Sequence, residues 1–557
     1  MKRMNKKAWF LILTCLFAEI NTAGAEDLPR ETIVVHLSQQ YLLAGEKVGF
    51  SVFVSNQKDL PGKQISNLAF VELLDASSQS VIRQKILLKN GTGSGVFSLP
   101  DSLSTGIYSF VAYTSWLKNF GEKYFSLSQL LVVKPGDALP TKEQNEAIKT
   151  QRSAQPGKNA NLSLQLDKTS FATREKVKVE LNLEEPTDNA VISVAVRKKE
   201  PAVFKKGWVQ SDSIPPVDTI DFFPDYKGIL LTGFLRNKQT SEPLPDQQVF
   251  LSFPGENVEI KHTTTGRNGK FRFLLDPAAG EKDMVFFTGS ENTGVWLDDK
   301  FFDSLNNPAA SDSLILKEKE VDFFTEKYIN RQLQERFKQT EFVNNTVSGQ
   351  STSFCFYDDP LQVLKTEDYV QLDSLHEYFY ELIPAVHLNR KNKKYTMRMS
   401  NFDKNYHFGN NPALFVDGVY YPSPGELMKT DAGKIDRIEV IPEIYYYRDL
   451  IFDGIVSVFS KDADFMDFPL LPNMTRVFYQ LAEPAKKLHL PKLESDIQST
   501  IPDLRWLIYW NPEIEMDDNF TTLEFATSDV KGEFEISVSG VTGHGEIIQS
   551  TKTFIVE

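Results

Sequence analysis

The chain has only two cysteines in 557 residues, Cys15 and Cys355, so no disulfide framework can staple it. It also has no excess of positive charge: 61 basic residues face 75 acidic ones, a formal charge of −14. That sign excludes an electrostatic nucleic-acid binder, which must meet phosphates with cations. Long apolar runs are missing too. The run from Ala8 to Ala18 is 11 residues, short of the ~20 that a membrane-spanning helix needs, and no later run approaches that length. The seven histidines form no His-x-x-x-His, His-Glu-x-x-His or Cys/His cluster, so a zinc site has no support. No phosphate-binding glycine pattern opens a helix, and no cofactor is implied. Gly91-Thr92-Gly93-Ser94-Gly95 places a serine between glycines, but a nucleophile elbow joins a strand to a helix. Here Asn90-Gly91 begins a turn and strands flank it. His376 on a helix and His544 in a glycine turn read as satisfied or solvated residues.

What is present starts with an address. Lys2, Arg3, Lys6 and Lys7 precede the apolar run, and Ala23-Gly24-Ala25 supplies small residues for a signal peptidase. Residues 1–25 read as a secretory leader cut after Ala25, and the protein is expected in the periplasm or associated with the outer membrane. Cys15 lies inside the apolar run rather than at its end, which argues against lipid attachment. Cleavage removes four basic residues and Glu19, leaving 57 basic and 74 acidic residues, a balance of −17. The remaining thiol, Cys355 between Phe354 and Phe356, reads as a small buried hydrophobe.

Periodicity predicts a mainly β chain of tandem Ig-like sandwiches with one α/β domain. Val48, Phe50, Val52 and Val54 fall on one face of a strand, and Asn90-Gly91 and Thr105-Gly106 mark turns, so 26–136 reads as a β-sandwich. Residues 137–160 are a polar linker. Glu175-Lys176-Val177, followed by Val179, Leu181 and Leu183, echoes Glu46-Lys47-Val48, so 161–226 reads as a second sandwich. Its pattern fades after Lys199, as if truncated. In 227–316, Thr265 to Phe273 contains an Asn268-Gly269 turn and a Phe271-x-Phe273 pair facing a core. Residues 317–354 form a helical connector whose stripe Ile329, Leu333, Phe337 is expected to dock. A second helix is predicted from Thr366 to Ile383, with Tyr369, Leu372, Leu375, Phe379 and Leu382 on one side and Pro384 as its stop. Leu414 to Val419 reads as a hairpin around Asp417-Gly418, Ile435 to Ile441 as a strand, and Phe452 to Lys461 as a turn at Asp453-Gly454 and a strand. Residues 462–557 read as a last sandwich, with Phe534, Ile536 and Val538 alternating with Glu535, Ser537 and Ser539.

These residues carry resemblances. Tyr41 to Val48, Leu99 to Tyr108 and Ala112 to Trp116 resemble a macroglobulin-type (MG2-like) sandwich, and 462–557 is similar. Gly233, Pro243 and Thr265 to Phe273 resemble the carboxypeptidase regulatory-like, transthyretin-related sandwich, which is structural rather than catalytic. Val416-Asp417-Gly418-Val419, Ile435 to Val440 and Asp453 to Lys461 resemble the plug of TonB-dependent outer-membrane receptors, over 355–461. The plug pattern places small residues where this chain has Pro442 to Asp449. Only 96 residues follow Lys461, at most about nine membrane strands against the about 22 of such receptors. The combination resembles secreted Bacteroidota proteins with macroglobulin domains and a plug without a barrel. Thioester-bearing macroglobulins carry Gly-Cys-Gly-Glu-Gln, whereas Cys355 sits in Ser-Phe-Cys-Phe-Tyr, so that trap is absent.

The resemblance implies a non-enzymatic interaction protein whose plug-like domain engages an outer-membrane barrel or another envelope protein. The alternatives are a surface binder of glycans or peptides and a hydrolase with a carboxylate pair that sequence cannot single out among 74 acids. Neighbouring residues on a strand face opposite sides, so the clusters Tyr420, Tyr421 and Tyr445, Tyr446, Tyr447, Arg448 are candidate partner contacts, exposed Tyr and Arg being typical of hot spots. The other reading of the same residues is core and sheet edge.

Overall fold

The computed structural model describes residues 28–557 except 30, 57–64, 138–158, 186–188, 202–218, 303–304, 306–315, 338–341, 346–355, 358, 392–393, 402–405, 492–500 and 517–518. The leader with Cys15, most of the 137–160 linker, and Cys355 lie outside the described residues. Strand makes up 52% of the described residues and helix 10%, so the fold is mainly β.

The first sandwich follows from the alternation that predicts it. Val48, Phe50, Val52 and Val54 of strand Lys47–Asn56 all point inward and are buried. This strand is flanked by Glu31–Leu37 and Thr92–Ser98. The facing sheet runs Tyr41–Leu43, Ser126–Val133, Gly106–Thr114, Leu68–Leu74, Ser80–Leu87. Phe50, Phe97 and Phe110 fill the space between the sheets with ring centroids 5.0–5.1 Å apart. Asn90 and Gly91 take φ of 52° and 79°, the left-handed pair that a two-residue hairpin turn requires.

Two separate sandwiches over 161–226 and 462–557 do not form. Strand Lys176–Leu183 lies between Leu162–Leu166 and Phe520–Ala526. Ala190–Lys198 lies between Leu507–Met516 and Gly532–Val541, and Ile547–Val556 pairs with the latter. One sandwich is therefore assembled from two chain segments more than 300 residues apart, here called the second sandwich. The physical reason is burial: the few strands of 162–198 cannot cover both sides of a core, and Val177, Val179 and Leu181 share theirs with Phe534, Ile536 and Val538.

The third sandwich repeats this design within the interruption. Its sheets are Lys270–Leu275, Ile229–Asn237, Thr293–Leu297 and Ile260–Thr264, Gln248–Ser252, Glu281–Thr288, and the second receives a further strand, Met474–Gln480. Phe271 and Phe273 face its core as expected from the pattern, with Gly269 at φ 68° in the preceding turn. Between Thr293–Leu297 and Met474–Gln480 the chain builds an α/β unit. Its mixed sheet has the order Gln362–Lys365, Ile435–Tyr447, Leu450–Ser460, Ala413–Val416, Val419–Tyr420. From the second sandwich inward the order of units along the chain is thus nested, the second and third sandwiches each opened before the next unit is built and closed after it.

The helices differ from expectation. Helix Glu318–Arg336 docks, but through Phe323, Phe324 and the stem of Lys327, which pack on Tyr41 and Trp506, while Ile329, Leu333 and Phe337 face solvent. Phe323 and Phe324 meet the rings of Tyr41 and Trp506, and the helix is rolled to make these aromatic contacts. The single helix expected over Thr366 to Ile383 breaks into a 3-10 turn at Thr366–Asp368 and a short helix from Leu375, which ends as a π turn at Tyr378–Leu382. Ser374, in an extended conformation, marks the true start, and the Glu377 carboxylate takes up the Asp373 N–H at 3.1 Å.

Candidate functional site

The aromatic clusters sit on the α/β sheet where it meets the third sandwich. Ile435–Tyr447 and Leu450–Ser460 form a long hairpin, and its turn falls at Arg448-Asp449, not at the expected Asp453-Gly454. Arg448 takes φ 56° to make that turn. Gly454, at φ 96°, lies opposite a shift of register between Ile441 and Ile444, the signature of a bulge. A side chain there would meet Met399 Sδ at 2.1 Å, so the glycine answers to a bulge and a close approach instead of a turn.

The pleat then divides the three consecutive tyrosines. Tyr445 and Tyr447 point inward to an aromatic layer with Phe356, whose ring centroid is 4.9 Å from each. The Tyr445 hydroxyl donates to the Phe356 carbonyl, and the Tyr447 hydroxyl donates to the Ile260 carbonyl at 2.8 Å. Tyr446 points the other way and is 70% exposed. Arg448 is exposed and reaches the His262 carbonyl at 3.4 Å, while Asp449 lies 3.6 Å from the His262 ring nitrogen. Burial pushes the Tyr447 hydroxyl up, against a smaller opposite effect of Arg448; burial likewise holds the His262 imidazole below its ordinary value.

The other pair is divided in the same manner. Tyr420 stacks on Phe250 of the third sandwich at 5.0 Å, and its N–H donates to Ser252 Oγ at 3.2 Å. Tyr421 is fully buried and donates to the Pro469 carbonyl at 3.0 Å. Of the six candidate contacts, four tyrosines thus serve the interior of the molecule, and Tyr446 and Arg448 are the two that face solvent. Tyr420, Tyr445 and Tyr447 pack against a wall of the same chain formed by Phe250, Val258, Ile260 and Phe287.

Two arrangements have no counterpart in the sequence patterns. His387 Nε2 and His407 Nδ1 converge on Ser400 Oγ at 2.8 and 2.6 Å, from three neighbouring strands. One hydroxyl proton can serve one ring, so the other ring must donate. Beside them, on the opposite face, Asn401, Tyr406, Phe408, Glu443 and Ile444 line a recess of about 350 Å³. Histidines 20 residues apart and a recess between two hairpins leave no local spacing to read. Among the described residues no group of three or more His, Cys, Asp and Glu is placed to hold a metal ion.

No family model and no curated protein matches this sequence. Among solved structures, trypsin-activated alpha-2-macroglobulin from Escherichia coli aligns with 94% of this chain and 41% of its own, at 8% identity and a TM-score of 0.24. Salmonella alpha-2-macroglobulin reacted with methylamine gives 94% and 39%, at 8% identity and 0.24. Dimeric latent PorU from Porphyromonas gingivalis gives 49% and 33%, at 10% identity and 0.16. The chain spans about two fifths of the length of the macroglobulins it aligns with. Among the described residues no helix is long and apolar enough to cross a membrane.

Proposed function

We propose that this chain is a non-catalytic interaction protein of the cell envelope, in which the α/β unit engages a membrane-barrel partner and the sandwiches brace it. The observation that carries this reading is the seating of the α/β unit. The chain leaves it directly into Met474–Gln480 of the third sandwich, and an aromatic layer of Phe250, Phe356, Tyr420, Tyr445 and Tyr447 joins the two. A unit seated in this way can transmit a docking force to the rest of the molecule without reorienting. The plug resemblance of 355–461 supports a barrel as the partner, and the secretory leader supports the compartment. Capture from native envelope membranes with the tagged full chain tests both: a stoichiometric barrel protein is expected, and its absence at near-physiological salt overturns the reading.

A second reading has its own observation. The recess walled by Tyr406 and Phe408, with Glu443 and Asn401 at its rim, offers ring faces and polar groups of the kind that hold a sugar or a peptide side chain. A clean monomer that binds polysaccharide, with binding lost in Tyr406→Ala, would favour it over the first.

A further inference from the structure

The α/β sheet has two edges, and the chain treats them differently. The Val419–Tyr420 edge is closed by the third sandwich through Ser252 and Phe250. The opposite edge, Gln362–Lys365, pairs on one side with Ile435–Tyr447, and among the described residues no strand lies on its other side. Folded proteins usually blunt such an edge with a bulge, a proline or inward charges, because unpaired backbone groups recruit another strand. This edge is short, with Pro360 before it and Lys365 at its end, but the apolar side chains beside and after it are left uncovered: Leu361 is 66% exposed, Val363 46%, Tyr369 48%, Val370 85% and Tyr380 80%. Gln362 Nε2 donates to the Leu382 carbonyl at 3.2 Å, so the two ends of this segment meet.

Its charge says what fits. Residues 359–382 hold Asp359, Glu367, Asp368, Asp373, Glu377 and Glu381 against Lys365 alone. Among the described residues none of these six acids is in an ion pair. We infer that the Gln362–Lys365 edge is a docking site for an extended polypeptide strand in which apolar and basic residues alternate. The incoming backbone completes the hydrogen bonding of the edge. Its apolar side chains cover Leu361 and Val363, and its cations meet the acidic surround. A second copy of this chain does not fit, because two edges of the same negative sign would face each other. The acidic field also makes association fast at low salt and salt-sensitive.

The inference rests on the interaction reading only in taking a polypeptide as the partner, and it needs no barrel. The test uses the full chain and an eight-residue peptide of alternating lysine and valine, with binding followed by anisotropy and by hydrogen exchange. Protection is expected at 361–365, with affinity falling at least tenfold from low to high salt. Glu367→Lys with Asp368→Lys should weaken binding at least tenfold, and so should Leu361→Ser with Val363→Ser at fixed salt, while an alternating glutamate–valine peptide should not bind. Protection elsewhere in the chain, affinity unchanged in the charge variant, or self-association through this edge would each overturn it. Protection at 361–365 without any barrel captured from membranes would remove the barrel reading and leave this one standing.

Discussion

Single residues show how much a side chain's direction decides. Tyr446 and Tyr447 are adjacent and identical, yet one faces water and the other holds the Ile260 carbonyl. Tyr447→Ala should therefore lower the stability of the α/β unit by about 3–5 kcal/mol, as other large aromatic truncations do. Tyr446→Ala should stay within about 0.5 kcal/mol. Urea titration of each variant measures both, and equal losses would contradict the division by the pleat. Glu31 makes a different case. It is buried in the first sandwich, where Ser66 and Thr114 donate to one carboxylate oxygen at 3.0 and 2.6 Å and the other oxygen has no side-chain hydrogen-bond partner among the described residues. Burial, opposed by those hydrogen bonds and aided by Asp225, pushes its pKa from about 4.5 up to about 7. The folded state thus keeps this proton between those values while the unfolded state releases it. Stability is greatest below about pH 4.5 for this group and is lost as pH rises to about 7, by an amount on the order of 3 kcal/mol. Glu31→Gln should flatten that slope and raise the urea midpoint at pH 8 above the parent's. A slope that survives the substitution assigns it to another group.

At the level of elements, turns and bulges carry the contacts between units. Asp417 and Gly418 take φ of 45° and 77°, and the Asp417 carboxylate accepts from the Ser460 N–H and hydroxyl and from the Phe465 N–H. A Cβ at Gly418 would lie 2.7 Å from the Phe253 carbonyl and 2.8 Å from that of Asn257, both on the third sandwich. Gly418→Ala should cost roughly 1–2 kcal/mol for the left-handed backbone alone, and more because two carbonyls must shift. Gly425→Ala, in a short helix with open space around it, is the control and should be neutral or slightly stabilising. The Asp417-Gly418 turn was legible because its signal is local. Asp453-Gly454 carries the same dipeptide and is no turn, because a glycine also serves a bulge, and only the register of the partner strand tells the two apart. The predicted Thr366–Ile383 helix failed in a similar way: Leu372, Leu375, Phe379 and Leu382 do lie toward the core, but a Ser374 start shortens the helix without changing that period. At the candidate site, alternation correctly put at least one tyrosine of the 445–447 run in solvent. It could not say that the wall facing the other two belongs to residues 250–260.

Over the whole molecule, what sequence could not supply is which strands pair. A period of two marks Lys176–Leu183 as a strand, and nothing in it points to Phe520–Ala526 more than 300 residues later. The one trace was the fading of the pattern after Lys199, which reads as truncation when the remaining strands lie at the other end of the chain. Nesting has a consequence for folding. Closing contacts at such separation is entropically costly and slow, so the second sandwich should be the last to complete, after the units within its interruption. It also makes the C-terminal region indispensable to parts far upstream. A chain ending at Ser460 lacks Met474–Gln480 and every strand from Leu507 onward. Leu162–Leu166, Lys176–Leu183 and Ala190–Lys198 then lose most of their sheet partners, and the third sandwich loses an edge strand. The first sandwich keeps its own core, which draws only Leu305 and Ala482 from outside residues 33–132 among its buried members. Limited proteolysis of the truncated chain should therefore leave the first sandwich resistant and cut within Leu162 to Lys198, with strand content by circular dichroism falling by more than the share of chain removed. If the truncated chain instead resists protease from Leu162 to Lys198 as the full chain does, those strands have a sheet of their own and the nested assembly is wrong.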